Sequence, residues 1–546
     1  MFVDAREVEF GAVIKTDVCV VGGGIAGLTL ARELDRRGIE TCLLESGGFT
    51  SDRETRALSR GESVGVPHEV VAGSRSRYLG GASNSWDGCC QPLDDQDFAA
   101  RDWVPHSGWP ITAADLRPYY EQAHALLRLG PNNYDIGFWV SQLQRSDVRR
   151  LSLSTDRLVD SLSLFSSPES FGSLYRKELG RATRLRVFLY ANVVEFETDP
   201  SGTAARQAVV LSLRGRKMFV TARLFVLAAG AIENARILLA SNKARRSGLG
   251  NMYGLVGRYF MDHPSILAGE VQFVDEWKSN RLYDECLNRG NPEQSAFGTC
   301  FTAHVQLTPA VQRREGLLNS RMDFSSVYAD EHPGITQTIV ELKRALIDRE
   351  KLRDRVPMLL ARLARQPLET LQYAATHWLR FRRLVRGVRL HALIEPLPDP
   401  DSRVTLSDEQ DELGMARVRV QWRLDGLVQR TFDRACSIFS EELDRAGIAK
   451  VSLGPSLQGR DWRTEIEFVP SHHQLGTTRM HNSPRSGVVD RHGLVHGMRN
   501  LFIAGGSVFP TAGAAPPALT VIALALRMAD RLTDELTPSR PITKPT

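Results

Sequence analysis

Cysteine is scarce in this chain, and the few cysteines are scattered. The 546-residue sequence has seven of them, with no Cys-x-x-Cys pair and no Cys/His cluster at zinc spacing. An odd, dispersed set of this kind predicts neither a disulfide framework nor a metal site. The positions are Cys19, Cys42, Cys89, Cys90, Cys286, Cys300 and Cys436.

Long apolar runs are also lacking. No stretch is long enough to span a bilayer as a helix. Residues 1–7 do not show the basic-then-apolar pattern of a signal peptide. We therefore expect a cytoplasmic protein without a transmembrane segment.

No charge of one sign dominates. There are 69 Lys and Arg against 64 Asp and Glu, a net charge of +5, which is too small and dispersed to predict a nucleic-acid partner. The chain is 42% hydrophobic and 24% charged, as is typical of globular proteins. Its length indicates two to four domains or one two-lobed enzyme.

The first informative pattern lies near the N-terminus. Residues 16–21 predict a buried strand, and Gly22-Gly23-Gly24-Ile25-Ala26-Gly27 follows it directly. An amphipathic helix then runs to Gly38, and Thr41 to Glu45 predict a second short strand. Strand, glycine turn, helix and strand within about 30 residues predict a βαβ unit.

The residue types in this unit are those that hold a dinucleotide. Gly22 allows a tight turn, Gly24 lets a pyrophosphate approach the backbone, and Gly27 lets the helix pack on the strand. The N-terminus of the helix favours phosphate. Glu45, at the end of the second strand, can accept hydrogen bonds from both ribose hydroxyls and would repel a 2′-phosphate. The pattern predicts NAD or FAD rather than NADP and does not choose between the first two.

Two further strands of the same kind lie far along the chain. Residues 223–230 and 500–506 each form an apolar run that ends in glycine, and helices are predicted from Ile232 to Leu239 and from about Pro517 to Leu532. One layered domain is thus expected from the start, middle and end of the chain, with a second region inserted between these segments.

A helix-like, basic stretch runs from about Glu341 to Arg389. From Lys343 to Arg389 it has 13 Lys and Arg against 4 Asp and Glu, a net +9. We interpret it first as a solvated amphipathic helical pair that Pro357, Pro367 and Gly387 interrupt. The alternative is an arm that docks on a membrane surface or a partner.

Several ordered motifs resemble the glucose–methanol–choline (GMC) oxidoreductases, which are FAD enzymes that oxidise alcohols. Beyond the βαβ unit, the matching segments are 78–88 (YLGGASNSWDG), 227–236 (LAAGAIENAR), 257–264 (GRYFMDHP), 472–480 (HHQLGTTRM), 488–490, 495–497 and 504–520. Residues from about 265 to 389 carry little of the family pattern, as expected of the part that sets the substrate.

The resemblance implies an α/β fold with a Rossmann-like FAD-binding domain and an inserted α+β substrate-binding domain that has an antiparallel sheet. The FAD-binding domain would comprise residues 1–110, 190–265 and 465–546, and the substrate-binding region residues 111–189 and 266–464. The implied FAD-binding residues are Gly22, Gly24, Ile25, Ala26, Gly27, Glu45, Ser46, Gly80, Gly81, Ser83, Asn84, Val193, Ala229, Gly230, Glu233, Gly505, Gly506, Pro517, Ala518 and Leu519.

The resemblance also implies a catalytic base. The family's histidine that faces flavin and substrate corresponds to His473, which would accept the hydroxyl proton as the hydride leaves the carbon. Its neighbour His472 is interpreted as structural, and His263 as holding a turn. The partners implied are an alcohol or sugar substrate and an electron acceptor, which can be oxygen, a quinone or a carrier protein.

The sequence departs from the family at Pro516, where relatives have a second catalytic His or Asn. Three explanations stay open: His473 works alone, another residue replaces the missing group, or the reaction is not alcohol oxidation. The last would be a lyase-like reaction on the same fold. The N-terminus of the final helix can still stabilise negative charge on reduced flavin.

Ser85 occupies the place where some relatives attach FAD through a histidine, so non-covalent FAD is predicted. Cys89 and Cys90, nearby, are interpreted as small buried hydrophobic residues. A third hypothesis, motivated by the basic stretch, is a non-enzymatic protein that binds flavin or a partner.

Overall fold

The computed structural model describes residues 1–68, 74–142, 148–153, 156–166, 169–274, 282–283, 299–328, 333–347, 356–375 and 385–537. Cys286 and the proline-rich tail after residue 537 lie outside these ranges, as does much of the basic stretch.

The strands are β1 (Phe2–Asp4), β2 (Val13–Val21), β3 (Thr41–Leu44), β4 (Gly61–Gly65), β5 (Cys89–Cys90), β6 (Leu158–Phe165), β7 (Leu185–Leu189), β8 (Asn192–Thr198), β9 (Ala205–Leu211), β10 (Lys217–Leu227), β11 (Pro264–Phe273), β12 (Cys300–Leu307), β13 (Ser320–Tyr328), β14 (Val385–Ile394), β15 (Arg403–Gln410), β16 (Ala416–Trp422), β17 (Ala449–Leu453), β18 (Phe468–Pro470) and β19 (Leu501–Ile503).

The helices are α1 (Ile25–Arg36), α2 (Arg53–Ala57), α3 (Asp95–Phe98), α4 (Ala113–Leu127), α5 (Ile136–Gln142), α6 (Phe171–Arg181), α7 (Ala231–Ala240), α8 (Pro309–Glu315), α9 (Pro333–Ile347), α10 (Val356–Arg365), α11 (Pro367–Tyr373), α12 (Gly426–Arg445) and α13 (Ala518–Leu536).

The first sheet has the order β1-β7-β3-β2-β10-β9-β8, and β19 pairs with the end of β10. Its central strands are parallel, and β8 and β9 form an antiparallel extension from β10. The last four residues of β2, Val18 to Val21, are all buried, as expected of a parallel strand covered on both faces. Helix α1 packs against β3 and α13, and α13 also packs on α4.

The second sheet is antiparallel, with the order β17-β11-β14-β13-β12-β6-β5, and β18 pairs with β11. Helix α12 packs against it. A third, smaller sheet has the order β15-β16-β4. The α/β class, with a Rossmann-like sheet and an inserted region built on an antiparallel sheet, is thus the predicted one.

Strand pairing differs from the predicted domain boundaries at three places. Strand β7 falls within the predicted inserted region but lies between β1 and β3 in the first sheet. Strands β4 and β5 fall within the predicted FAD-binding domain but join the third and second sheets. These strands are short and carry no motif, so their partners are set by tertiary packing.

The basic stretch is helical only in part. Helices α10 and α11 are separated near Pro367, as predicted, and expose Met358, Leu360, Leu368 and Leu371. Residues 385–389, however, belong to strand β14 rather than to a helix, because they pair with β11 and β13. Within the described ranges, no helix is both long and apolar enough to cross a bilayer.

A buried ion pair joins the segment after α3 to the end of the second sheet. Arg101 donates to both carboxylate oxygens of Glu395, at 2.6 and 2.8 Å, and the exposed fractions of the two side chains are 2% and 0%. Burial alone would raise the pKa of Glu395, but the Arg101 charge holds it below its usual value. Glu395 also accepts from the backbone N–H groups of Asn319 and Gly513.

We expect Arg101→Met to lower the free energy of unfolding by roughly 3–5 kcal/mol, since it leaves a buried carboxylate without its counter-ion. The double variant Arg101→Met, Glu395→Leu should lose less than the single one, because no unpaired charge remains. Urea unfolding followed by circular dichroism measures both. A loss below about 1 kcal/mol in the single variant would show that the pair is not the constraint described here.

Candidate active site

A cavity of about 460 Å³ opens where the ends of β2, β3 and β10 meet the glycine-rich loop and the last 80 residues of the chain. This volume lies in the range of small-molecule sites, roughly 300–1,000 Å³. The sequence-predicted residues that line it are Gly22, Gly24, Ile25, Ala26, Glu45, Ser46, Gly81, Val193, Ala229, Gly230, Glu233, His473, Gly505, Gly506, Pro517 and Ala518.

Five predicted residues are not part of the cavity lining. Gly27 lies in α1 so close to the turn that a Cβ there would overlap the carbonyl oxygen of Gly22. Within the glycine-rich loop, the Ser83 hydroxyl donates to the Gly80 carbonyl and the Asn84 amide donates to the Gly81 carbonyl. Leu519 is buried in α13. Their placement indicates a supporting role rather than direct contact with a ligand.

The first turn has the geometry that a close approach requires. Gly22 has φ +106°, and a Cβ there would lie 2.5 Å from the carbonyl oxygen of Ala228. At Gly24 a Cβ would meet only the Cα of Gly81, at 3.9 Å, so this glycine faces open space. The Gly80 N–H donates to the Gly23 carbonyl at 2.8 Å and fixes the glycine-rich loop over the turn.

Glu45 is buried at the end of β3. Its Oε2 accepts from the Gly23 N–H at 2.8 Å, and its Oε1 accepts from the Gly47 N–H at 2.9 Å. Burial raises its pKa, and the two backbone donors oppose that rise. Oε1 also accepts from the Ser46 hydroxyl at 3.3 Å, whereas Oε2 keeps a lone pair that can accept from a ligand hydroxyl.

A charged cluster around the predicted residue Glu233 covers another part of the wall, and the sequence did not predict its other members. Glu233 pairs with Arg75, Arg77 and Arg236, and Arg236 also pairs with Asp411 at 2.7 Å. Burial would raise the pKa of Glu233, but the three arginines lower it to about 2. Three cations against two carboxylates leave this wall with a net positive charge, which favours an anionic ligand.

Sequence reasoning missed other lining residues as well. Arg75 and Arg77 directly precede the Tyr78 motif, so their position was a usable signal, whereas Asp411 comes from the loop between β15 and β16 and carried none. The additional lining residues with polar side chains include Ser59, Trp86, Asp87, Asn192 and Gln474.

His473 lines the cavity from the segment that precedes the Gly476 turn. That segment pairs with residue 261 through reciprocal bonds between the backbone N–H and C=O groups of Met261 and Leu475. The His473 backbone N–H donates to Asp262 Oδ1 at 2.7 Å, and His68 Nε2 lies 2.9 Å from Asp262 Oδ2. The buried carboxylate therefore holds the backbone that presents the imidazole.

His472 lies in the left-handed region at φ +58° and is exposed, with its ring against His68. Ligand atoms of His68, Asp262 and His472 all lie within 4.8 Å of one another, a spacing that a cation could accept. Asp262 already bonds the His473 backbone N–H and the His68 ring. We therefore interpret this cluster as support for the 472–473 turn.

His263 does more than hold a turn. It is fully buried, its Nε2 lies 2.8 Å from the Gly513 carbonyl oxygen, and its Nδ1 lies 3.2 Å from Nδ1 of His473. Burial, together with the unfavourable interaction that a protonated His473 would have with the adjacent His263 ring, lowers the pKa of His473 to about 3. His473 is therefore neutral at physiological pH.

Pro516 lines the cavity just before α13, together with Pro517 and Ala518. Proline offers neither a side-chain donor nor a backbone N–H. The first helical N–H groups of α13 have no side-chain cap, so they leave a partial positive charge at this wall.

The cavity fits a large polar ligand such as FAD. Within the described residues, five buried lining atoms have no hydrogen-bond partner: Ser59 Oγ, Arg77 Nη1, Trp86 Nε1, Asn192 Oδ1 and Gln474 Nε2. Leaving buried polar atoms unpaired costs about 1–3 kcal/mol each. A dinucleotide with a ring system rich in donors and acceptors would satisfy them.

Two family models match the chain. Residues 17–246 match the FAD dependent oxidoreductase model, and residues 398–525 match the GMC oxidoreductase model. The first match contains the glycine turn and Glu45, and the second contains His473. The fold, the cavity and these matches define an FAD-dependent oxidoreductase.

Curated relatives align over nearly the whole chain. The chain is 29% identical to the fructose dehydrogenase large subunit of Gluconobacter japonicus, over 96% of this chain and 98% of that protein. It is 26% identical to paromamine 6′-oxidase of Streptomyces fradiae, over 95% and 92%. It is 22% identical to 2-methyl-1,2-propanediol dehydrogenase of Mycolicibacterium austroafricanum, over 94% and 95%.

The chain therefore belongs to the GMC oxidoreductases, FAD-dependent enzymes that act on CH–OH donors. Solved structures share its fold: formate oxidase of Aspergillus oryzae RIB40, at a TM-score of 0.56 and 16% identity, covers 97% of this chain and 99% of that one. Pyridoxine 4-oxidase of Mesorbium loti has a TM-score of 0.52 and 17% identity, covering 95% and 99%. The predicted family, fold class, FAD dependence and enzymatic nature are confirmed.

Alanine substitutions at two glycines of the first turn should affect different properties, one the stability of the protein and the other its affinity for FAD. Gly27→Ala should destabilise the cofactor-free protein by about 1–3 kcal/mol or more, since the new methyl group overlaps backbone. Gly24→Ala should leave the melting temperature of that protein unchanged but weaken FAD at least about tenfold, because the methyl group occupies the space a pyrophosphate needs. Thermal unfolding and FAD titration measure the two effects, and equal FAD affinity in Gly24→Ala and wild type would contradict this placement.

Proposed function

We propose that this enzyme oxidises a CH–OH group of a sugar, polyol or secondary-metabolite alcohol to a carbonyl, with His473 as the base. The observation that carries the proposal is the neutral imidazole of His473 on the cavity wall. The relatives named for fructose and for propanediol act on hydroxyl compounds, which supports the same substrate class here.

The reaction removes a hydride from the carbinol carbon and a proton from its oxygen. Bound FAD supplies the hydride acceptor. The residues implied to hold it are the glycine turn, Glu45 and the N-terminus of α13. His473 accepts the hydroxyl proton as the C=O bond forms, so that atoms and charge balance.

A base with a pKa of about 3 is sufficient for this step. As the hydride departs, the hydroxyl becomes a protonated carbonyl, which is a strong acid and transfers its proton to a weak base. The low pKa also keeps the lone pair of His473 available at neutral pH and lets the proton leave for solvent afterwards.

We propose that FAD is held without a covalent bond. Ser85 lines the cavity where some relatives have the attaching histidine, and a serine hydroxyl is a poor nucleophile without an adjacent base. The electron acceptor is oxygen, a quinone or a carrier protein. Mixing substrate-reduced enzyme with each in turn identifies it by the rate at which the flavin colour returns.

Replacing the base should slow flavin reduction without removing FAD. His473→Ala is expected to lower the rate of anaerobic flavin bleaching by an alcohol or sugar about 10²–10⁴-fold, measured by stopped-flow absorbance after a substrate screen. His492→Ala, which changes a histidine in the 490–493 turn outside the cavity, is the control and should keep the wild-type rate. A full rate in His473→Ala at equal FAD content would refute the proposed role.

The pH dependence should show the lowered pKa. Because His473 stays neutral well below the ordinary histidine pKa of about 6.5, protonation of this residue should not slow flavin reduction between pH 8 and about pH 5. The loss should begin only as the pH approaches the folded-state value of about 3. Stopped-flow rates across this range measure it, and a fall centred near pH 6.5 would indicate an unshifted base.

Pro516 is the one observation that favours a second candidate, a lyase-like reaction on the same fold. That reaction would convert substrate without reducing the flavin. Anaerobic bleaching with one carbonyl product per flavin excludes it. Membership of an enzyme family gives no support to the third hypothesis, a non-enzymatic binding protein.

A further inference from the structure

His263 lies between the catalytic imidazole and a backbone carbonyl that can only accept a hydrogen bond. Its Nε2 is 2.8 Å from the Gly513 carbonyl oxygen, and its Nδ1 is 3.2 Å from His473 Nδ1. The two rings meet edge to face, with centroids 5.1 Å apart and planes at 83°. Both nitrogens of His263 are thus committed.

The chemistry of these atoms fixes where each proton must be. Since a carbonyl oxygen cannot donate, His263 Nε2 must carry the proton of that bond. Burial lowers the pKa of His263, so the ring is neutral and its Nδ1 bears the lone pair. The 3.2 Å contact is a hydrogen bond only if Nδ1 of His473 is the donor. Nε2 of His473 is then the nitrogen without a proton.

We infer that His263 is a positioning residue that sets the tautomer of His473, so that Nε2 of His473 faces the substrate as a proton acceptor. This inference rests on the proposed role of His473 and deepens it. In the other tautomer Nε2 would carry a hydrogen and could only donate, and the hydroxyl proton would have no acceptor there. Within the described part of the chain, no other group bonds Nε2 of His473.

The surroundings hold His263 in this orientation. Gly513 has φ +59°, and a Cβ there would overlap Oδ2 of Asp97, so its backbone has little room to turn. The Gly513 N–H donates to Glu395 Oε1 at 3.3 Å, and Glu395 is itself clamped by Arg101. The carbonyl that fixes the His263 proton is therefore anchored by the buried ion pair described above.

The tautomer of His473 matters more here because Pro516 cannot help to orient the substrate hydroxyl. Where a second His or Asn shares the substrate oxygen, part of the orientation comes from that group. Here that position offers no side-chain donor or acceptor and no backbone N–H. The hydroxyl must be oriented largely by the single lone pair at Nε2, and His263 determines that this lone pair exists.

The tautomer can be read directly by NMR. We expect holoenzyme labelled with ¹⁵N in histidine alone to show the proton of His473 on Nδ1 in two-bond ¹H–¹⁵N spectra, with the signal identified by its loss in His473→Ala. His263→Leu removes the acceptor at similar volume, so the signal should move toward the other tautomer or a mixture. A proton on Nε2 of His473 in the wild type would overturn the inference.

Kinetics of the same variants give a second readout. His263→Leu should slow anaerobic flavin reduction roughly 10- to 100-fold, as loss of an outer partner often does, with FAD content close to wild type and a melting temperature lowered by the unpaired Gly513 carbonyl. His263→Asn, whose amide oxygen can accept from Nδ1 of His473, should recover part of the rate and of the Nδ1-protonated signal. Should His263→Leu fail to fold, the wild-type spectrum and His263→Asn still decide.

Failure of this inference differs from failure of the proposed function. If His473→Ala keeps the full rate while the spectrum shows the predicted tautomer, the base has been misassigned but the hydrogen-bond chain stands. If His473→Ala is inactive while His263→Leu changes neither tautomer nor rate, His473 is the base and His263 does not position it.

Discussion

The parallel pairing of β10 with both β2 and β19 is the constraint on which the rest of the site depends. Leu227 lies opposite Val21 on one side and Ile503 on the other, so three segments that are far apart in sequence end at the same edge. Each continues into a glycine with positive φ: Gly22, Gly230 and Gly505. Side chains there would fill the space that the three strand ends enclose. Asn234 ties two of the turns together, accepting from the Ala229 N–H and donating to Ser507 Oγ.

The inserted region reaches this edge through buried polar contacts and through the pairing of β11 with β18. Strand β11 begins directly after Asp262 and His263, so the second sheet determines where both side chains stand. Its neighbour β14 ends at Glu395, which bonds Arg101 and the Gly513 N–H. The inserted region therefore also supports the segment that presents His473.

Local sequence patterns predicted the elements at the edge of the first sheet where β2, β10 and β19 end. The βαβ unit, the strand ends at 227 and 503 and the final helix each carry an apolar run and a glycine within a few residues, and that information is local.

The pairing of β7 between β1 and β3 depends on contacts about 145–185 residues away, and no short motif marks it. Asp411 and His263 show the same limit. Asp411 meets Arg236 only because β15 and β16 fold beside α7, and His263 meets Gly513 only because the loop before α13 folds under β11. Their side chains are ordinary in sequence, and their roles arise from tertiary placement.

The low pKa of His473 and the loss of the second polar group at Pro516 are related. The half-buried imidazole of His473 beside another imidazole disfavours the cation, since desolvation and the proximity of the His263 ring act in the same direction. A second cationic or donating residue at position 516 would disfavour it further. Proline there adds no side-chain charge or donor, while Asp262 contributes the opposing negative charge from behind the backbone. The site thus keeps the imidazole neutral, and under the proposed role of His473 a carboxylate lies near the charge that would form when the proton arrives.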